Sequence, residues 1–576
     1  MYNEVITMER IIKPVPHLVF DSVERNPGKV ALMYKAGNEY NGTTYGEMGE
    51  RIRRLSTGLA HLGLDKKNVA ILSENRPEWP ISEYAVMGTH GIFVPIYERQ
   101  PKGYVDYVLN DSGATAIVLS SPEELKKVLD LRKSAPNLRY IITLNGENDY
   151  RQNIIQLKEV MKFGGRLDAE RARQLYDSLT LKTRAKIIYT SGTTGEPKGA
   201  LFDQEAIAYN ALASIDRLGF NENDVNISFL PLAHSFEANN QNVILTVGGT
   251  IAYSTRKDMI NNMPLVRPTV VAVVPLVAEK IYANIPNFGK KALQKYVDAV
   301  ENGRHPDIIS KLVVGLVSHK LKGKTGGNIR FFVSGGAALD PELSKYFEVL
   351  GLPMVEGYGQ TEFCPVIAAN DPKDIKHGYV GRPLSLVVKD ANGKSYGGVE
   401  VKTNGDGELV VKGPSRMIEY WKKLELTQKT IEGDWLRTGD VAEITPDGYV
   451  KIIGRKKRIP KLSSGEAVPL DKLEVLINAI PDAHVTSVVI ANDKRPYPVA
   501  LIFPQEDGVA IDRKTVEKHL AEMNEELPRH EQIIKFEIMP HALREGFEIT
   551  PTLKVKTNVV ENEYKDVIDK LYGQDI

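Results

Sequence analysis

The stretch "IIYTSGTTGEPKGAL", residues 187–201, decides how the rest of the chain is read. A short apolar run ends in Thr190, then come Ser191, Gly192, Thr193, Thr194 and Gly195, with Lys198 and Gly199 just beyond. Glycines let a backbone turn tightly and expose its N–H groups, and hydroxyls with an ammonium complete a cradle for an anion. A polar strand-to-helix loop is the plain alternative, because Ser, Thr and Gly clusters mark loops. The lysine placed after the glycines favours the cradle. The common nucleotide loop, G-x-x-x-x-G-K-[ST], is a different pattern: here Gly192 and Gly195 are three apart and glycine follows Lys198. "SHKLKGKT" at 318–325 comes nearer in form, but Ser318 occupies the first glycine position. It follows a helical pattern and reads as a basic helix end.

Outward from this loop, short β-branched runs alternate with longer helical patterns. "NVAIL" (68–72) precedes "PEWPISEYAVMGTHG", and "TAIVL" (115–119) precedes "SPEELKKVLDLRKSA". "TVVAVV" (269–274) precedes "PLVAEKIYANI", and "IRFFVSGGAAL" (329–339) precedes "DPELSKYFEVLG", where Asp340 suits an N-cap and Pro341 a first helical turn. Such alternation predicts parallel sheets flanked by helices. From about Gly381 the texture changes: "GDGELVVKG" (405–413) and "VAEITPDGYVKIIG" (441–454) read as strands joined by tight turns. Five cations then crowd residues 455–461, as a solvated hairpin would also allow, and "LDKLEVLINAI", "VTSVVIA" and "PVALIFP" predict a compact α+β unit to the end. The expected division is 1–455 and 456–576.

At 576 residues the chain exceeds one hydrophobic core. Lys plus Arg and Asp plus Glu are both 74, so no global field points to nucleic acid. The single cysteine, Cys364, excludes an intrachain disulfide and a Cys-rich zinc site, and the 11 histidines show no metal-site spacing. The first twenty residues lack a signal peptide's apolar stretch, and no segment reaches the ~18 apolar residues of a membrane span. A cytoplasmic protein is expected, with any membrane contact peripheral; no basic amphipathic helix stands out.

More glycine-rich or acidic signatures follow in order. They are "LPLAHSFE" (230–237), "SGGAAL" (334–339), "GYGQTE" (357–362), "WLRTGD" (435–440), "IGRKK" (453–457) and "TPTLK" (550–554). Together with "YTSGTTGEPKGA" this ordered set resembles the adenylate-forming acyl-CoA synthetase superfamily over nearly the whole chain. Within it, "LPLAHSFE", "KLSSGEAVP", "RPYPVALIFP" and "TPTLKVK" look most like the long-chain fatty-acid CoA ligases.

The resemblance implies an α/β protein. Its large N-terminal domain has parallel-rich sheets flanked by helices and a distorted β-barrel-like subdomain; its C-terminal α+β domain is a small mobile lid. It implies two half-reactions: a fatty-acid carboxylate attacks the α-phosphorus of Mg-ATP, then the thiol of coenzyme A displaces AMP from the acyl carbon. Thr190 to Lys198 would cradle the leaving phosphates. Glu362, with Thr190 nearby, would hold Mg²⁺, and Thr361 would meet the α-phosphate. Gly335, Gly336, Ala337 and the run Glu356, Gly357, Tyr358, Gly359 and Gln360 would enclose AMP, with Asp440 on ribose and Arg455 beside it. Lys554 would bridge carboxylate and α-phosphate in the transition state, and Lys456 would be the hinge. His234 is either a residue near the acyl tunnel or a satisfied histidine after a strand. Departures from the family pattern are Ala238 after Glu237, "FDQEAI" after the phosphate loop, Arg458 where aspartate is usual, and Thr557 after "LKVK". A homodimer fits the resemblance. An aryl, medium-chain or carrier-loading ligase and a silent ATP-binding regulator are the other readings.

Overall fold

The computed structural model describes residues 11–190, 196–480, 483–492, 494–544, 547–549 and 555–573. It divides into two compact units: Met1–Val274, Asn287–Glu400 and Val411–Leu436 in the first, and Pro275–Pro286, Val401–Val410 and Arg437–Ile576 in the second.

Two large sheets build the first unit. In the eight-stranded sheet, Arg184–Thr190, Ile92–Ile96, Asn68–Leu72, Ala116–Leu119, Tyr140–Thr143 and Ile154–Gln156 are neighbours in that order and run parallel. Ile92–Ile96 and Ala116–Leu119 are buried along their whole length, as continuous apolar runs covered by helices on both faces should be. In the nine-stranded sheet the parallel centre is Thr250–Tyr253, Val225–Ser228, Val270–Val273, Phe331–Ser334 and Met354–Gly359. Asp340 caps the helix Pro341–Val349, its carboxylate accepting from the Glu342 N–H at 2.8 Å. "SHKLKGKT" lies at the end of the helix Ile308–Lys324, as a basic helix end.

The plain alternative for the glycine loop does not hold here. The strand after the glycine loop, Lys198–Asp203, returns antiparallel to Arg184–Thr190, with Thr190 opposite Lys198. The connection therefore runs strand to strand, and the helix Gln204–Leu218 follows only after that return. A strand-to-helix loop is excluded because "KGALFD" is buried at five of its six positions and fills a sheet position.

In the second unit, Val485–Ile490, Val499–Pro504 and Lys535–Ile538 form a three-stranded sheet. Side chains alternate between two cores: Val485, Val489, Ala500 and Ile502 face one, and Val488, Ile490, Leu501 and Phe503 the other. The helices Leu470–Asn478 and Arg513–Glu526 cover the first face, and Thr557–Glu563 and Lys565–Leu571 the second. Among the described residues no helix is long and apolar enough to cross a membrane.

Candidate active site

Phe331–Ser334 and Met354–Gly359 are adjacent parallel strands with Ser334 opposite Glu356, so the loops "SGGAAL" and "GYGQTE" leave the sheet side by side at its carboxyl edge. In open α/β sheets, crevices at this edge bind ligands. The Glu356 side chain fastens one loop to the other strand: its Oε1 accepts the Leu339 N–H at 3.1 Å. Burial pushes this carboxyl up to about 8. Gly336 has φ +85°, and a Cβ at Gly359 would lie 1.8 Å from the Pro365 carbonyl oxygen, so neither position accepts a side chain without moving backbone. Gly335 packs against the Phe236 ring. Ser334 Oγ and Gln360 Nε2 are buried without a hydrogen bond, which leaves polar atoms at the two motifs for a bound group to satisfy.

The phosphate-loop ends and the acidic motif meet through a residue the sequence reading did not single out. Tyr420 lies on the two-residue strand Glu419–Tyr420, which pairs with Lys198–Asp203 and sets Tyr420 opposite Ala200. Its ring centroid is 5.6 Å from the Lys198 ammonium, and its hydroxyl donates to Glu362 Oε1 at 2.6 Å. The Met417 N–H donates to the Glu362 carbonyl at 2.9 Å, so backbone and side chain of Glu362 are both held. Nothing local in "IEYW" announces this role, because its partners are far away in sequence.

Thr361 is buried, and its hydroxyl lies 3.3 Å from the hydroxyl of Ser235. His234 is the N-cap of the helix Ser235–Val247, its Nδ1 accepting the Phe236 N–H at 3.3 Å. The structure thus brings His234 next to the Thr361–Glu362 turn. Further along this helix Glu237, Asn239, Asn240, Gln241 and Asn242 are all buried. Gln241 donates to Glu83 at 3.2 Å, Glu83 pairs with the buried Lys186, and the Tyr84 hydroxyl donates to Asn242 at 2.9 Å. Ser228, Asn240 and Asn226 surround the Glu237 carboxyl, yet its Oε1 makes no hydrogen bond, and burial pushes the acid up to about 8. The run "EANNQN" was the signal for this polar wall. Cys364 is a packed side chain whose thiol burial pushes up to about 12, which leaves it no thiolate to attack with.

In the second unit, Asp440 and Arg455 are cross-strand partners of the pair Trp435–Ile444 and Val450–Arg455, with Arg455 Nε 2.9 Å from Asp440 Oδ1. Lys456 begins a single helical turn, Lys456–Arg458, and its ammonium reaches Asp406 at 3.2 Å and Glu408 at 3.4 Å. Arg458 is anchored to Asp471 at 3.0 Å, to Glu474, and to the Val489 carbonyl at 3.2 Å. Residues 191–195 and Lys554 lie outside the described residues. Among the described neighbours of Lys554, Ile549 and Val555 form an antiparallel bridge, and the Lys556 N–H donates to the Glu548 carbonyl at 2.7 Å. Thr557 opens the helix Thr557–Glu563.

A carboxylate at Glu362 and a hydroxyl at Thr190 are hard oxygen donors. Among the described residues no three His, Cys, Asp or Glu side chains gather as a metal cluster. Few protein donors suit Mg²⁺, which keeps waters and phosphate oxygens in most of its positions rather than sitting in an all-protein cage, so the chemistry of these two side chains fits that ion.

Comparison with known proteins identifies the family. The model of the AMP-binding enzyme family matches residues 19–421, and that of the AMP-binding enzyme C-terminal domain matches residues 459–575. The long-chain-fatty-acid–CoA ligase FadD15 of Mycobacterium bovis is 30% identical over 97% of this chain and 97% of its own length. The peroxisomal long chain acyl-CoA synthetase 7 of Arabidopsis thaliana is 30% identical over 93% of this chain and 82% of its own. The ATP-bound structure of MatB from Rhodopseudomonas palustris shares the fold, with a TM-score of 0.73 at 22% identity over 97% of this chain and all of its own. The chain belongs to the AMP-binding enzyme family, the adenylate-forming superfamily that its ordered motifs resemble.

Proposed function

We propose that this enzyme is an ATP-dependent, AMP-forming ligase that joins a fatty acid to coenzyme A. A carboxylate oxygen of the acid attacks the α-phosphorus of ATP, and the bond from that phosphorus to the β-phosphate oxygen breaks, giving acyl-adenylate and pyrophosphate. The coenzyme A sulfur then attacks the acyl carbon, the carbon–oxygen bond to AMP breaks, and the thiol proton leaves to solvent. The observation that carries the reading is the joining of Lys198 and Glu362 through Tyr420, beside the Ser235–Thr361 contact, in a chain related end to end to named long-chain ligases.

Phosphoryl-type transfer needs position and charge stabilisation more than covalent help. Lys198 and the loop 191–195 hold the departing phosphates, and Thr361 orients the α-phosphate. Mg²⁺ held by Glu362 and Thr190 would neutralise charge on the phosphate oxygens. The two glycine-rich loops enclose adenine, and Asp440, oriented by Arg455, binds ribose. Lys554 stabilises the carboxylate and α-phosphate as they meet. Lys456 serves as the hinge of the C-terminal domain beyond residue 455, and "KLSSGE" (461–466) lines the route of the thiol.

ATP–pyrophosphate exchange over straight-chain acids of increasing length, with and without coenzyme A, tests this. Exchange without coenzyme A, followed by thioester and AMP when it is added, is the expected result. Formation of ADP, or thioester without AMP, overturns it.

A further inference from the structure

The helix Ile308–Lys324 is apolar on two opposite faces. Ser310, Val314 and Val317 are buried, whereas Ile308, Ile309, Leu312 and Leu316 are 76, 75, 64 and 70% exposed. At 3.6 residues per turn those four side chains fall within an arc of about 100°, on the far side from the buried three. His319, Gly315 and Gly323 complete the exposed stripe. Lys311 and Lys322 border one edge of it, and Lys320 and Lys324 the other. The helix holds four lysines and no acid, although basic and acidic residues over the whole chain number 74 each. The acid that immediately precedes it in the sequence, Asp307, is occupied as its N-cap, accepting from the Ser310 N–H at 2.9 Å and the Ser310 hydroxyl at 2.6 Å.

We propose that this lysine-bordered apolar stripe docks the protein onto an anionic lipid surface, the helix lying in the plane of the headgroups. Interfacial helices bind through buried apolar area together with attraction of basic side chains to anionic lipid, and long lysine stems let the ammoniums reach the headgroups while the aliphatic groups insert. Charge complementarity decides the occupant. A second copy of the chain meeting this face about a two-fold axis would set four lysines against four lysines, which is repulsive, whereas anionic headgroups satisfy all of them. The proposal goes beyond the ligase reading, because binding is measured without turnover.

The test is co-sedimentation of the full-length protein with vesicles of phosphatidylcholine containing about 30% phosphatidylglycerol, compared with phosphatidylcholine alone. The wild type is expected to bind the anionic vesicles and to be released when salt rises from about 0.1 M to about 0.5 M. Each lysine near such a surface is worth roughly fivefold in partitioning, so Lys320→Glu with Lys324→Glu should weaken binding at least ~10-fold. Leu312→Ser with Leu316→Ser should weaken it comparably. All four positions are exposed or lie on the solvent edge, so both variants should keep wild-type melting and wild-type pyrophosphate exchange on a short, water-soluble acid. A wild type that stays in the supernatant with anionic vesicles overturns the proposal, as does a serine variant that sediments like the wild type. A lipid-free dimer that the serine substitutions dissociate would assign the stripe to self-association and overturn it equally.

Discussion

Tyr420 joins Lys198 to Glu362, the two sides of the proposed phosphate site, and its hydroxyl can be removed without changing the ring that faces Lys198. A hydrogen bond to a carboxylate contributes about 1.5–3 kcal/mol, so Tyr420→Phe should lower pyrophosphate exchange by roughly 10-fold or more. Because Glu362 is the proposed magnesium ligand, the half-saturating Mg²⁺ concentration should rise in the same variant. A purely structural loss would leave that concentration where it was. Glu237 yields a prediction of a different kind. Its carboxyl is raised by burial from 4.5 to about 8, so between those values the folded state keeps a proton that the unfolded state releases. Stability then falls as pH rises from about 4.5 to about 8, and the whole penalty stands above that range. Glu237→Gln removes the titration. Measured by urea unfolding, the variant should gain at least ~2 kcal/mol on the wild type between about pH 5.5 and about pH 8.5. A difference independent of pH would remove this account of the buried acid. Lys198, Thr361 and Glu362 stand out as candidates in the sequence because each belongs to a motif of glycines and hydroxyls with a lysine or an acid. Tyr420 does not, since its strand is two residues long and both its partners are supplied by distant segments.

Elements were most legible where the apolar period is clean. The strands Asn68–Leu72 and Val485–Ile490 and the hairpin ending at Arg455 appear where β-branched runs and Asp-Gly turns predict them. Legibility failed where both faces of an element carry the same chemistry. Lys198–Asp203 is buried on both faces, so its sequence shows no strand alternation, and Ile308–Lys324 is apolar on two opposite faces, so no single face stands out as exposed. The departure at Arg458 also takes its meaning from an element. Its guanidinium bonds to Asp471 and Glu474 on the helix Leu470–Asn478, and the Arg455 N–H donates to Asp471 as well, at 3.2 Å. Burial raises Glu474 to about 7 even with Arg458 beside it. Arg458→Asp, which restores the family's usual residue, would place a third acid among two with no cation to offset them. Removing one partner of a buried pair costs about 3–5 kcal/mol, and the C-terminal domain should melt or become protease-sensitive first. Limited proteolysis followed by mass spectrometry should locate early cuts after residue 456. Unchanged protection there would mean that other groups stabilise this helix.

For the whole molecule, the question is whether one chain divides two half-reactions between separable groups. Glu548 and Lys556, which flank Lys554 in the sequence, lie in the second unit, and Thr190 and Lys198, which flank the glycine loop, lie in the first. Losing a charge-stabilising donor costs about 10²–10³ in rate, so Lys554→Ala should lose pyrophosphate exchange by that factor yet convert supplied acyl-adenylate and coenzyme A to thioester. Lys456→Pro should do the reverse. Arg455 already has φ −68° and ψ 131°, the extended conformation that a following proline requires, and position 456 opens a helical turn, where proline is tolerated. The substitution therefore suits the arrangement observed here and resists any other torsion at that residue. It also removes the ammonium from Asp406 and Glu408, so Lys456→Ala is the control for that loss. Pyrophosphate exchange should survive in both variants, with thioester formation from acyl-adenylate lost in Lys456→Pro alone. If alanine blocked thioester formation as completely as proline, the ion pairs and not the backbone torsion would be what matters at 456. If Lys554→Ala blocked both half-reactions, the chain would not divide them between separable groups.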